Sequence, residues 1–522
     1  RKDMIEQITI LDEIRESGRQ DAVSALMDLY VDPLPDQAVD EMVYHTLFEL
    51  MAGQENATIS GLRHTSPRVR MLSVRRAAEE SFEAVKPVLL SLLESTDDAD
   101  LIQEVIRGLR NYDDPSLAPV LLPYLDHEDC SVVAWAMNVL GDLEAPEYRQ
   151  TLMQIVKDRE AELRDASECD LKTALSVDNL AKFKDDDATA LLMSLIHHTN
   201  PVFRRVVLGV LAAMGKDILP ALEKCLETGD KDEKIMAANV IGLMGDKKGA
   251  DILNGQLDQR DMEKNLRFAM YEALGRIPSI RSVIGLTDGL TETDEMVLLA
   301  VLTSLDTLCN PGVVKVVQEK IDQGDDQTAR VIQALITSRA TNLFKAVYES
   351  ESHAGPLVEA LLASKDMEAV EVFKKELGSM PGERPAADIT RLSAGEEVVF
   401  AKRVVAADDS KAMLFFYKSA AAELGLELVT AMDGKEALDY FQTADTVDLL
   451  ITDLNMPEMT GVELTQELRQ IEKWADLPIL MATTESESSQ VDIAREAGVN
   501  DFISKPFTKD DFSKKVNEML GS

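Results

Sequence analysis

The sequence predicts two architectures in series: an all-α solenoid of stacked helical hairpins, then a doubly wound α/β domain built around a parallel sheet. Two observations carry this. Residues 1–377 read as short amphipathic helices broken by Asp, Gly, Asn and Pro, and they repeat with a period near 31. Residues 401–522 instead alternate short apolar segments with helical stretches, the pattern of βαβ units.

The period is visible residue by residue. Leu101 and Leu109 recur as Val132 and Leu140, and Val210-Leu211-Ala212-Ala213-Met214 recurs as Val240-Ile241-Gly242-Leu243-Met244. Val139-Leu140-Gly141-Asp142-Leu143 and Ala273-Leu274-Gly275-Arg276-Ile277 are the same phrase again. Small residues in mid-phrase let neighbouring helices approach, and the apolar flanks fill the layer between copies. A hairpin that cannot bury its own face must stack on copies of itself. Stretches around 159–187 and 340–355 fit the period less well. Gly378-Ser379-Met380-Pro381-Gly382-Glu383-Arg384-Pro385 is unsuited to helix and marks a linker, taken as 378–400, in which Ala386–Phe400 is expected to be extended.

In the second domain, four apolar segments end in carboxylates, a hydroxyl and a lysine, in the order a phosphoryl-transfer site needs. Asp408-Asp409 close Arg403–Ala407, Asp453 closes Val447–Thr452, Thr483 follows Leu477–Ala482, and Lys505-Pro506 follow Asp501–Ser504. Helix starts at Ser410, Gly434, Thr460, Ser486 and Thr508 separate them, with Gly425 and Gly498 as stops. In an open parallel sheet the chemistry sits beyond the carboxyl ends of the strands, where all of these residues fall. Crowded carboxylates repel at neutral pH, and Mg²⁺, which needs few protein oxygens and keeps waters for a phosphate, relieves that. Asp453, on the middle strand, is best placed to accept a phosphoryl group as an acyl phosphate. Asp409 and Asp453 are the expected direct metal ligands, Asp408 acts through water, and the backbone carbonyl of Asn455 completes the set. Lys505 neutralises phosphoryl charge and the Thr483 hydroxyl donates to the attached group.

Residues 402–522 resemble a CheY-like receiver domain of two-component response regulators, which has a flavodoxin-like (βα)5 fold. The likeness rests on Ala-Asp-Asp-Ser, Thr-Asp-Leu-Asn-Met-Pro-Glu-Met-Thr-Gly, Ala-Thr-Thr-Glu and Lys-Pro-Phe, in order and at matching distances. It implies a Mg²⁺ cofactor, phosphorylation of Asp453 by a histidine kinase or phosphotransfer protein, and a switch in which Phe502 rotates inward as Thr483 closes. It also implies that Asn455 and Glu485 occupy the two variable positions that tune phosphoryl lifetime. Residues 1–377 resemble HEAT or HEAT-like repeats, which implies a binding surface for a protein partner that the sequence does not name.

The expected function is therefore a bacterial, phosphorylation-switched protein binder and not an enzyme. A scaffold whose receiver is a phosphate sink or docking module is the alternative, and a receiver-controlled HEAT-like enzyme a further one. Iron hydroxylases of this architecture need several His-Glu steps, and His127-Glu128 is the single one here; nothing marks a bilin site. With 54 basic against 94 acidic residues and a net charge of −40, nucleic acid and anionic lipid are poor partners, and a basic or amphipathic protein surface suits better. Cys130, Cys169, Cys225 and Cys309 lack metal spacing and read as small core residues in a reducing cytoplasm. No leader and no membrane-length apolar run is expected, nor a DNA-binding domain after the last helix near Leu520. Leu414 and Phe415 fall on the outer face of the first helix of the second domain, as ordinary surface or as a contact for a kinase, a phosphotransfer domain or the repeats.

Overall fold

The computed structural model describes residues 2–164, 166, 168–259, 262–364, 366–393, 402–483 and 488–521. They form two compact units: residues 1–158 with 170–188, and residues 159–169 with 189–522. The first unit is helical throughout its described residues. Its helices Gln37–Leu50, Pro67–Glu79, Ala99–Leu109 and Cys130–Asp142 pack in succession, and Leu171–Phe183 continues the row. At its start, Val43, Leu47, Met51 and Val69 are among the side chains that close a core. The stretch 159–187 that fits the repeat poorly contains that last regular helix.

The second unit begins with the same ladder. One row consists of Pro201–Ala213, Lys231–Met244, Lys264–Gly275, Glu295–Thr307 and Asp326–Thr337. The other consists of Leu219–Thr228, Lys247–Leu257, Ile280–Asp288, Pro311–Ile321 and Thr341–Tyr348. Helices of the first row open on Asn or Asp at four of five starts: Asn200, Asp230, Asp294 and Asp325 each accept from the backbone N–H groups of the first turn. Each such cap stabilises its helix by about 1 kcal/mol. The glycines of the repeated phrase mark the closest approaches. A Cβ on Gly242 would lie 2.8 Å from the Ala273 backbone, and one on Gly275 would lie 2.3 Å from Ser304 Oγ.

Three expectations change here. The region 340–355 is regular, occupied by Thr341–Tyr348 and the start of Glu351–Ala363. Within the expected linker, Glu383–Leu392 is helix, because Gly382 at φ 117° makes the turn and Pro385 sits in the first helical turn, where its missing N–H is harmless. Tyr348 donates to Asp388 at 2.7 Å and fixes that helix to the repeats; residues 394–400 of the linker lie outside the described ones. Cys130 is exposed at the start of its helix, and the other three cysteines are partly buried.

The remainder is a five-stranded parallel sheet ordered β2-β1-β3-β4-β5, with β1 Arg403–Ala407, β2 Glu427–Ala431, β3 Leu449–Asp453, β4 Ile479–Thr483 and β5 Asp501–Ser504. β3 and β4 reach one residue further than the apolar runs suggest, so Asp453 and Thr483 are themselves last strand residues. Helices Lys411–Glu423, Gly434–Thr443, Gly461–Gln470, Ser488–Ala497 and Lys509–Leu520 connect and cover the strands. Ser410, Thr460 and Thr508 cap theirs, Asp433 caps the helix opening at Gly434, and Gly425 and Gly498 take positive φ at helix ends. Ser486 lies outside the described residues.

Candidate functional site

The strand order places β1 and β4 on either side of β3, so the loops after β1, β3 and β4 converge where Asp453 ends the central strand. Asp453 is 9% exposed and Asp408 1%. Lys505, brought in by β5, spans them: its Nζ lies 2.6 Å from Asp453 Oδ1 and 2.7 Å from Asp408 Oδ2. The Asn455 N–H donates to Asp453 Oδ2 at 2.8 Å, the Ser410 N–H to Asp408 Oδ1 at 3.0 Å, and the Tyr417 hydroxyl to Asp408 Oδ2 at 3.2 Å. Thr483 is buried at the end of β4, and its carbonyl accepts from the Lys505 N–H at 2.7 Å. Gly461 makes room for the loop after β3, since a Cβ there would stand 2.1 Å from the Asp453 carbonyl oxygen.

The charges fit this crowding. Burial pushes the Asp408 carboxyl up to about 7, against the pull of Lys505 and with the help of Asp453 and Asp409. Burial likewise raises Asp409 to about 6, opposed by Arg276. Burial works against the charge on Lys505, but Asp408 and Asp453 outweigh it and hold the amine well above its ordinary value. Burial also raises the Tyr417 hydroxyl well above its ordinary value.

Phe502 is half-buried against the sheet core, with the Arg495 guanidinium 5.3 Å from its ring centre. Asp408, Asp409, Asp453, Asn455, Thr483 and Lys505 are thus brought to one end of the sheet, and Phe502 to its edge strand. Glu485 lies outside the described residues. Tyr417 was legible only as a core position of its helix; nothing in the spacing marked it as a partner of Asp408.

The second set of missed residues comes from the repeats of the same unit. The helix Lys264–Gly275 crosses the mouth of the site. Asn265 in its first turn donates to the Lys505 carbonyl at 2.7 Å, and Glu272 in its last turn accepts from the Ser410 hydroxyl. Arg276, its C-cap, places a guanidinium nitrogen 3.6 Å from Asp409 Oδ2. From the helix Pro201–Ala213, Arg204 donates to the Asn455 side-chain oxygen, and Arg205 donates to the Glu458 carbonyl and pairs with Glu463 at 3.1 Å. The first helix of the sheet domain also packs on the repeats. Leu414 is 6% exposed, Phe415 lies under Arg339 at 5.6 Å, and Lys418 pairs with Glu368 at 2.6 Å. Of the outcomes open for Leu414 and Phe415, the structure shows contact with the repeats. Between the helix Lys264–Gly275 and the acid loops remains a cleft of about 100 Å³, lined by Glu272, Asp408, Asp409, Asp453, Asn455 and Lys505 among others.

A five-stranded parallel sheet with this acid–lysine end defines a receiver domain. Residues 404–517 match the response regulator receiver domain family, and residues 86–172 and 219–305 match HEAT repeats. The chain belongs to the response regulator receiver family. It is 40% identical over 121 residues to a chemotaxis protein CheY homolog of Campylobacter jejuni, covering 23% of this chain and 93% of that protein. It is 36% identical over 121 residues to the chemotaxis protein CheY1 of Helicobacter pylori, covering 23% of this chain and 98% of that one. Among solved structures it is similar to the chemotaxis response regulator CheY4 of Vibrio cholerae, at 34% identity, 23% of this chain, 98% of that chain and a TM-score of 0.22. Among the described residues no helix is long and apolar enough to cross a membrane.

Proposed function

We propose that this chain is a phosphorelay response regulator that accepts a phosphoryl group on Asp453 from a histidine kinase or phosphotransfer protein in the cytoplasm. It passes that state to protein binding by its HEAT-like repeats, and it is an acceptor and switch, not an enzyme. The observation that carries this reading is the Lys505 ammonium held between Asp453 and Asp408, at 2.6 and 2.7 Å, on the carboxyl edge of a parallel sheet.

In the transfer, a carboxylate oxygen of Asp453 forms a bond to phosphorus as the donor's N–P bond breaks. The Asn455 N–H orients the Asp453 carboxylate, and Lys505 stands ready to offset charge on the phosphoryl oxygens. Thr483, last in β4, is placed to donate its hydroxyl to the attached group, and Phe502 on β5 is the neighbouring aromatic that would follow it. Three carboxylates and the Asn455 carbonyl form a hard-oxygen donor set that suits Mg²⁺. When bound, the ion supplies charge neutralisation at the phosphoryl oxygens. Asp409 and Asp453 would hold it directly and Asp408 through water.

For the repeats, the whole-chain charge suggests a basic partner, but the helices facing the receiver present Arg204, Arg205 and Arg276. That face suits an acidic protein surface. The test is incubation of the full chain with phosphoramidate and Mg²⁺, followed by intact-mass measurement and partner capture. Wild type should gain one phosphoryl group and change its captured proteins, while Asp453→Asn should do neither. Labelling of Asp453→Asn equal to wild type would overturn the assignment.

A further inference from the structure

Three loops carry the acid pair, the acceptor and the lysine, and each is held by a side chain of the repeats. Glu272 and Arg276 hold the loop after β1, Arg204 and Arg205 the loop after β3, and Asn265 the loop after β5. We propose that this face of the repeats is a recognition surface for the unloaded acceptor site. On that reading, docking of the receiver and loading of the site with Mg²⁺ and a phosphoryl group exclude one another, and phosphorylation releases the receiver. This rests on Asp453 being the phosphoacceptor.

Four observations converge. First, Arg276 engages Asp409, one of the carboxylates a cation must take. The Lys505 ammonium occupies the gap between the other two carboxylates, Asp408 and Asp453. A guanidinium and a divalent cation on one carboxylate repel each other.

Second, the cleft that the cation and the phosphoryl group would enter is walled on its far side by Asn265 and Glu272 of the repeats. Mg²⁺ keeps several waters of its own, so the hydrated ion and the phosphoryl group meet that wall. Third, Glu272 points at the β1 loop, and a phosphoryl group would bring about −1.5 to −2 further charges into the same cleft. Fourth, a histidine on a donor protein must reach Asp453 past the loops that the helices Pro201–Ala213 and Lys264–Gly275 cover. Transfer from such a donor therefore needs the released form.

Coupling of this kind is reciprocal: if loading weakens docking, docking weakens loading by the same factor. The experiment uses the full chain with Mg²⁺ and beryllofluoride as the phosphoryl mimic, with fluorine NMR to report loading. Hydrogen exchange is followed in 201–213, 264–276 and 408–414. Loading should speed exchange in all three segments. Arg276→Ala and, separately, Asn265→Ala should bind beryllofluoride about tenfold more tightly than wild type. Loading with unchanged exchange, or with unchanged or weaker affinity in both variants, would overturn the proposal and leave the acceptor reading intact. Loading in none of the three proteins would remove the acceptor reading and this proposal with it.

Discussion

Arg276 of the repeats lies 3.6 Å from Asp409 of the receiver, so a residue expected to bind a cation is met by a cation from elsewhere in the same chain. The receiver's acid pair is asymmetric in consequence. Asp408 is held by its own domain, through Ser410, Tyr417 and Lys505, whereas Asp409 faces the repeats.

Removal of Lys505 should destabilise the receiver. Its side chain is 11% exposed and separates two buried carboxylates, and breaking such a pair leaves uncompensated charge. Lys505→Ala should lower unfolding free energy by about 3 kcal/mol in urea titrations, and Asp453→Asn in the same background should recover part of the loss. An additive double variant would show that the carboxylates do not repel through the gap.

Gly461 should tolerate no side chain. A Cβ there meets the Asp453 carbonyl oxygen at 2.1 Å, so Gly461→Ala must push the loop that follows Asp453 away from β3. Loss of about 1–3 kcal/mol is expected from the overpacking, together with slower phosphoramidate labelling. Unchanged stability and labelling would mean that the loop yields freely.

Metal-free stability and the extra stabilisation by Mg²⁺ should respond to pH with opposite signs. Asp408 and Asp409 titrate near 7 and 6 in the folded chain, above the ordinary carboxyl value of 3.8. Between that value and about 7 the folded state binds more protons than the unfolded state, so stability falls as pH rises through this window. The melting temperature in EDTA should therefore climb on acidification from pH 8 to pH 5, as far as these groups govern it. Stabilisation by added Mg²⁺ should shrink over the same range, because protons compete for the same oxygens. Parallel trends in the two titrations would contradict this.

The contact at Leu414 should be separable from the chemistry. Leu414 is packed away and Phe415 sits under Arg339, yet neither touches the acid site. Leu414→Ser with Phe415→Ser should speed hydrogen exchange along 411–418 and ease release, while intact-mass labelling of Asp453 still goes to completion. A double variant that no longer takes the label would place this helix inside the acceptor machinery.

Much of this was legible in the chain, for identifiable reasons. The starts at 201, 231, 264, 295 and 326 keep the period near 31 because each repeat must bury the same face. The places of the acid pair, Asp453 and Lys505 were legible because each ends or directly follows a strand whose order fixes its position. β2 left a fainter trace: four of its five residues are partly exposed at the sheet edge, so no apolar run announces it. The helix Glu383–Leu392 was hidden by Gly and Pro, which read as breakers until tertiary contacts from Tyr348 hold the turn. Asn265, Glu272 and Arg276 could not be found, since their partners lie more than a hundred residues away and no local pattern encodes such pairs.

The helix Lys264–Gly275 also constrains how this protein can evolve. Repeat arrays ordinarily gain and lose copies freely, because each unit answers only to its neighbours. Here Asn265, Glu272 and Arg276 grip one end of the receiver while Glu368, further along the chain, grips Lys418. Duplication or deletion of a repeat between them would carry one handhold away from the other. Over that span the receiver acts as a ruler, and the array's length should vary elsewhere first.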